Sequence, residues 1–370
     1  MKICVLGDTH FGMRGDSLDF HKYIEKFYEN VFFPYLKDHN VTTVVQLGDL
    51  FDRRKFINFN SLYLCREYFF DKLAENNITF ITFLGNHDVA FKNTLQVNSS
   101  KLLLDGYDNI TVLDTFNTMQ FDGIDVDLVP WICDDNQEEI LQKLKDSKSQ
   151  IVFGHFEIKG FEMDRGNICH EGVDKSLFNK YDIVLSGHFH HRSDDGHIYY
   201  VGTPNEMTWA DYNDPRGFVI FDTHTREQEF VKNPYRMFHK LNYNDELEHF
   251  AEGYKSSFMN YSDYEGCYVK VVVVNKINPF LFDFVIDSIY KAGAADISIV
   301  EDFTDTTGDV DQELIDQAED TMTILSKYID NMTINVEPDK LKNIMQELYV
   351  EALSTTTEWY YLKLCVGKIC

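Results

Sequence analysis

The sequence predicts an α/β fold in which two sheets pack as a sandwich flanked by helices, followed by a small α/β unit and a helical hairpin. Three observations carry the prediction. Five short apolar runs each stop at a glycine-led polar cluster, strand-like and helix-like patterns alternate from residue 1 to about residue 232, and the texture changes after Pro234.

Taken in order, Ile3–Leu6 is an unbroken apolar strand that ends at Gly7-Asp8-Thr9-His10, and Asp19–Asp38 reads as a helix. Thr43–Leu47 runs into Gly48-Asp49-Leu50-Phe51-Asp52, Asn60–Asn76 is a second helix, and Ile78–Leu84 meets Gly85-Asn86-His87-Asp88. A helix over Asp135–Asp146 precedes the strand Gln150–Phe153, which stops at Gly154-His155-Phe156. Asp182–Leu185 then leads to Gly187-His188-Phe189-His190-His191. Tyr199–Thr203 and Gly217–Phe221 are late strands, with Gly202-Thr203-Pro204-Asn205-Glu206 turning between them. These elements make a first domain of residues 1–232. Beyond it, the β-branched run Tyr268–Val274, a helix over Pro279–Ala292 and the strand Ile297–Val300 form a β-α-β domain over 233–305.

Residues 306–370 hold two amphipathic helices. Asp311–Met332 repeats apolar Leu314, Ala318, Met322, Leu325 and Ile329 near helical spacing, and Leu341–Leu353 does the same with Ile344, Leu348 and Ala352. A hairpin with so little core of its own should pack its apolar face on something, either this chain or a partner.

The polar clusters fall on loops at strand carboxyl ends, the edge where ligands bind in open α/β sheets. Together they supply Asp8, His10, Asp49, Asn86, His155, His188 and His190. This mix of imidazole, carboxylate and amide suits Mn, Fe or Zn better than Ca, and it contains no thiolate. Two divalent ions about 3.5–4 Å apart can clamp the attacking and leaving oxygens of a displacement at phosphorus, and Asp49 is the natural bridging carboxylate. One such cluster alone is more often a turn, and a lone histidine more often a hydrogen-bonded loop residue. Five clusters, each behind a strand, point to a dinuclear site.

The motifs GDTHFG, GDLFD, FLGNHD, GHF and SGHFHH resemble the calcineurin-like metallophosphoesterases, whose pattern is D-x-H, GD-x-x-D, GNH-D, GH and GH-x-H. With GTPNE after the last cluster, they are similar to the SbcD-type recombination and repair nucleases, and most similar to the nuclease subunits of large tailed phages. The resemblance covers about residues 1–235. It implies that Asp8, His10, Asp49 and His190 hold one ion, that Asp49, Asn86, His155 and His188 hold the other, and that Mn occupies both, with Mg the other candidate. His87 resembles the family's non-ligand histidine, which protonates the leaving oxygen or stabilises the transition state. Asp88 would fix its tautomer. Position 52 is Asp where some relatives carry His, so Asp52 is expected to orient a metal ligand rather than touch DNA. The resemblance further implies that the 233–305 domain caps the site and shapes DNA access. It also implies that the hairpin, about residues 311–353, binds the coiled-coil base of an SMC-like, SbcC-type ATPase. Dimerisation would use the aromatic helix around Phe59, Tyr63, Tyr68, Phe69 and Phe70 with Val97–Tyr107, although an aromatic stripe is more often core. Double-stranded DNA ends are the implied substrate.

Composition bounds the rest. At 370 residues, 44% hydrophobic and 15% aromatic, the chain can bury a core larger than one ordinary domain. Asp8 lies too near the amino terminus to leave room for a signal peptide, and no stretch offers about 18 uninterrupted apolar residues. A cytoplasmic protein with no membrane partner is expected, in the host cell if phage-encoded. Seven cysteines without a CxxC pair read as reduced thiols. The net charge of −27 would repel DNA outside the metal site. Arg53, Arg54, Lys55, Lys92 and Arg192 lie beside the clusters in sequence and form the candidate phosphate-facing patch; a second subunit is expected to supply much of the grip.

Three functions are weighed. The first is a Mn-dependent DNA nuclease, with 3′ to 5′ exonuclease and endonuclease activity, serving recombination, repair and replication. The second is a small-molecule phosphodiesterase or protein phosphatase using the same chemistry. The third is a scaffold that kept the fold, against which the full ligand set and His87 argue.

Overall fold

The computed structural model describes residues 1–164, 167–246 and 260–301. A first compact unit runs Met1–Thr306. The hairpin expected over residues 311–353 lies outside the described residues, as does the rest of 307–370.

Two six-stranded sheets form the body of this unit. Sheet I has the order Gln228–Lys232, Gly217–Asp222, Lys2–Leu6, Thr43–Gln46, Thr79–Phe83, Ile110–Leu113, with the last four parallel. Sheet II has the order Ser193–Asp194, Ile198–Tyr200, Ile183–Ser186, Ile151–Gly154, Ile124–Val129, Asn117–Phe121, with its four middle strands parallel. Their facing sides share one core of Ile3, Val5, Val45, Ile81, Phe153, Leu185 and Phe221. The outer side of sheet I packs Cys4, Val44 and Phe80 against helical residues 18–38 and 59–75, and the outer side of sheet II packs Val152 and Val184 against the helix Gln137–Asp146. Central strands therefore bury both faces, which is why ICVL, TVVQ and IVLS read as runs without alternation.

Both long helical stretches contain a π-turn, at Tyr28–Phe32 and at Arg66–Phe70. The aromatic stripe divides there. Tyr68, Phe69 and Phe70 are buried, whereas Phe59 and Tyr63 at the amino-terminal end are exposed.

Strand Phe238–Asn244 was not foreseen. It joins Tyr268–Asn275 and Asp296–Glu301 in a three-stranded parallel sheet covered by the helix Pro279–Lys291. Phe238 and Tyr268 also pack on Phe20, with ring centroids 6.1 and 5.7 Å away, so this small sheet shares core with the helix of residues 18–38. Cys4, Cys65, Cys133, Cys169 and Cys267 are free and buried. No helix among the described residues is long and apolar enough to cross a membrane.

Candidate metal centre

The five foreseen clusters converge where the carboxyl ends of the two sheets meet. Asp8, His10, Asp49 and Asn86 come from loops of sheet I, and His155, His188 and His190 from loops of sheet II. Asp8, His10, Asp49 and His155 are almost fully buried, and His188 and His190 are half-buried.

Backbone geometry makes this convergence possible. His10, Asp49 and His188 have left-handed φ of 43°, 52° and 83°, a conformation that costs an ordinary residue about 1–3 kcal/mol and gathers at functional sites. The turn into Asp49 passes through Gly48 at φ 95°. It is held from the strand by Gln46, whose Oε1 accepts from the Gly48 amide at 3.1 Å and whose Nε2 donates to the Gly48 carbonyl. Gly85 leaves the room Asp49 needs, since a Cβ there would lie 2.2 Å from Asp49 Oδ1.

Three groups of candidate donors result, Asp8 with His10 and His190, Asp49 with His155 and His188, and His10 with Asp52 and His87, each with ligand atoms within 4.8 Å of one another. Asp49 joins them: its Oδ2 lies 3.4 Å from His155 Nε2 and 3.7 Å from His10 Nε2. His155 donates Nδ1–H to the Leu47 carbonyl at 2.8 Å, which leaves Nε2 as the nitrogen that faces the other donors. That nitrogen faces Asn86 Oδ1 at 2.9 Å and His188 Nδ1 at 3.2 Å, and His10 Nε2 faces His190 Nε2 at 3.1 Å. Lone pairs crowded this closely need a proton or a cation between them. The donor set fits borderline divalent cations.

The titration behaviour shows the same demand. Burial would raise Asp49, but the imidazoles of His155 and His10 outweigh it and hold the carboxyl well below its usual range. Burial lifts Asp8 to about 7. Burial opposes the charging of His10 and His155, yet neighbouring carboxylates raise both to about 9, while burial and the charge on His155 press His188 down to about 3. Without cations, the carboxylates draw protons onto two of the imidazoles.

His87 belongs to the third of these groups, beside His10 and Asp52. Its backbone amide donates to Asp49 Oδ1 at 2.7 Å, its ring lies 4.8 Å from that of His10, and its Nδ1 is 2.6 Å from the Asp52 carbonyl oxygen. The expected role of Asp88 is corrected here. Asp88 accepts from the amides of Leu50 at 3.0 Å, Phe51 at 3.3 Å and Gly85 at 2.8 Å, joining the GDLFD and GNHD loops, and the carbonyl of Asp52 holds His87 instead. Asp52 Oδ1 lies 3.5 Å from His10 Nδ1, the place of a group that orients a ligand.

The candidate phosphate-facing residues divide. Arg53 sits 3.2 Å from Asp16 Oδ2 with its guanidinium over Phe56, and Lys55 and Lys92 are exposed. The Arg192 guanidinium lies over Phe230 at the edge of sheet I. Sequence reading missed Glu157, whose carboxylate is 3.9 Å from His188 Nε2; its place two residues after His155 was the available signal.

Comparison with known proteins agrees with this geometry. Residues 1–192 match the family model for calcineurin-like phosphoesterases. The chain is 32% identical over 354 residues to exonuclease subunit 1 of Enterobacteria phage T4, covering 95% of this chain and 99% of that one. It is 27% identical over 258 residues to a subunit of the nuclease SbcCD from Staphylococcus saprophyticus, covering 60% of this chain and 65% of that one.

Proposed function

The chain belongs to the calcineurin-like phosphoesterases and is a nuclease-like member of them, and we propose that it hydrolyses phosphodiester bonds at double-stranded DNA ends with two Mn ions. The observation that carries this reading is the pair of donor groups joined at Asp49. By this reading Asp8, His10, Asp49 and His190 would hold one ion, and Asp49, Asn86, His155 and His188 the other. Such ions polarise the phosphoryl group and make water nucleophilic near neutral pH.

The chain's own residues do the positioning. Asp52 and Glu157 orient His10 and His188, and Asp88 keeps two ligand loops in register. With Nδ1 engaged by the Asp52 carbonyl, His87 has Nε2 to hold or pass a proton at the scissile phosphate. Arg53, Arg54, Lys55, Lys92 and Arg192 remain the proposed DNA-facing cations, although Arg53 is already paired with Asp16.

We assign 3′ to 5′ exonuclease and endonuclease activity, and a place as nuclease subunit of an SMC-like ATPase complex in recombination, repair and replication. The relatives' names support this reading: one is a subunit of an exonuclease, the other a subunit of a nuclease. Residues 311–353 are the proposed ATPase contact, and exposed Phe59, Tyr63 and Leu102 support a homodimer. The place of action is the cytoplasm, that of the host if the gene is a phage's.

Mn-dependent release of nucleotides from linear duplex DNA, compared with turnover of an aryl phosphodiester, tests the function. Faster turnover of the aryl ester with no attack on DNA would favour the second reading, a small-molecule phosphodiesterase or protein phosphatase.

A further inference from the structure

Outside the donor groups, one buried charge network reaches a ligand loop. Arg216, 26 residues beyond His190, is 4% exposed. Its Nη1 donates to the main-chain carbonyl of His190 and, at 2.6 Å, to Thr203 Oγ1. Its Nη2 donates to Asp211 Oδ1 at 2.7 Å and Asp214 Oδ2 at 2.6 Å. The same Asp214 oxygen lies 2.9 Å from Nδ1 of His191, which this contact turns toward Asp214. Asp211 holds the amides of Met207 and Thr208 through its other oxygen, at 2.7 and 2.8 Å. Gly202, at φ 75°, lets the GTPNE turn approach so closely that a Cβ would stand 3.0 Å from the His190 carbonyl.

We propose that Arg216 is a positioning residue for the metal centre, fixing the His190 end of the GHFHH loop against the GTPNE turn so that the imidazole stays aimed at Asp8 and His10. The inference rests on the dinuclear reading above. A planar guanidinium can serve four acceptors in fixed directions, which an ammonium cannot. Two buried carboxylates more than offset its charge, so the fork is held from behind while one arm grips the ligand loop. Groups that orient metal ligands typically change metal affinity by about 10–100-fold when removed.

The test is Mn binding to the full-length chain by calorimetry, with the electron paramagnetic resonance of the bound Mn and the melting temperature of the metal-free protein measured in parallel. Wild type should bind two ions and show the signal of a spin-coupled pair; failure of that control would count against the dinuclear reading rather than against Arg216. Arg216→Lys keeps the charge beside Asp211 and Asp214 but not the geometry. It should weaken one ion by about 10-fold or more, leave the other within about two-fold, lose the coupled signal at sub-saturating Mn, and melt close to wild type without metal. Asp214→Asn, which loosens the fork from behind, should weaken the same ion to a smaller degree. Two ions bound with wild-type affinity by a folded Arg216→Lys would overturn the proposal, as would equal weakening of both ions. Failure of both variants to fold would make the network part of the core and overturn it equally.

Discussion

Asp49 stands where the two donor groups meet, its Oδ2 reaching toward His155 and His10 while Oδ1 accepts the His87 amide. Removing a carboxylate shared by two coordination shells should disturb both. Asp49→Ala is expected to lower bound Mn from two ions per chain to fewer than one; elemental analysis that still found two would end the bridging assignment. His87 meets Asp49 through its backbone amide and His10 through its ring edge, and its proposed role is that of a proton donor rather than a ligand. His87→Ala should therefore leave metal content near wild type while slowing the chemical step by roughly 10²–10⁴, measured in single-turnover cleavage of duplex DNA. Loss of bound metal in that variant would make His87 a ligand.

Between the helical stretches 18–38 and 59–75 lies a buried polar contact, His21, with Nδ1 3.1 Å from the Tyr68 hydroxyl and Nε2 2.9 Å from Ser61 Oγ. Burial lowers the His21 pKa, partly opposed by the Asp16 carboxylate. The folded protein thus takes up this proton less readily than the unfolded chain, whose imidazole titrates near 6.5. The sign follows from linkage: stability is intact above that value and is lost as pH falls through it. Chemical denaturation should show wild type losing more stability between pH 7.5 and 5.5 than His21→Gln, which cannot titrate; parallel losses would refute the assignment.

At this scale the sequence was unevenly legible. Strands such as Ile3–Leu6 and Ile183–Ser186 were plain because burial of both faces leaves unbroken apolar runs. Asn117–Phe121 and Phe238–Asn244 escaped because NTMQF and FHKLNYN mix polar residues into half-buried or edge positions, although Asp122-Gly123 marks the hairpin turn after the first of them. The seven candidate donors could be read because each closely follows such a run. The Asp52 carbonyl at His87 and the Arg216 fork at His190 could not. The first is a backbone atom, which no residue type announces, and the second depends on a contact across 26 positions of chain.

For the whole molecule, a charge of −27 would set the terms of the proposed DNA binding, because phosphate contacts dominate affinity. The proposed ATPase partner answers that need, and its contact is expected within residues 311–353. Truncation after Thr306, the end of the first compact unit, should leave a metal-loaded nuclease that no longer associates with the ATPase. Leu325→Glu with Ile329→Glu should weaken the complex by at least about 100-fold while sparing Mn-dependent cleavage, since charge on a docking face removes its apolar contact. Unfolding of the truncated chain would instead place the hairpin in this protein's own core.

The donors are also divided between the two halves of the sandwich, four on loops of sheet I and three on loops of sheet II. Ions held by both halves would act as a clasp across the interface, binding the correctly docked sheets and nothing else. Saturating Mn should then raise the melting temperature by several degrees, as any ligand of the native state does, and a chelator should remove the gain. A strand paired one residue out of register within its sheet would turn its alternating side chains to the wrong face, spoil the docking of the two sheets and offer the cations an incomplete cage. Metal uptake would then inspect the packing of the molecule before any phosphate reaches it, so that only a correctly assembled chain becomes capable of cutting.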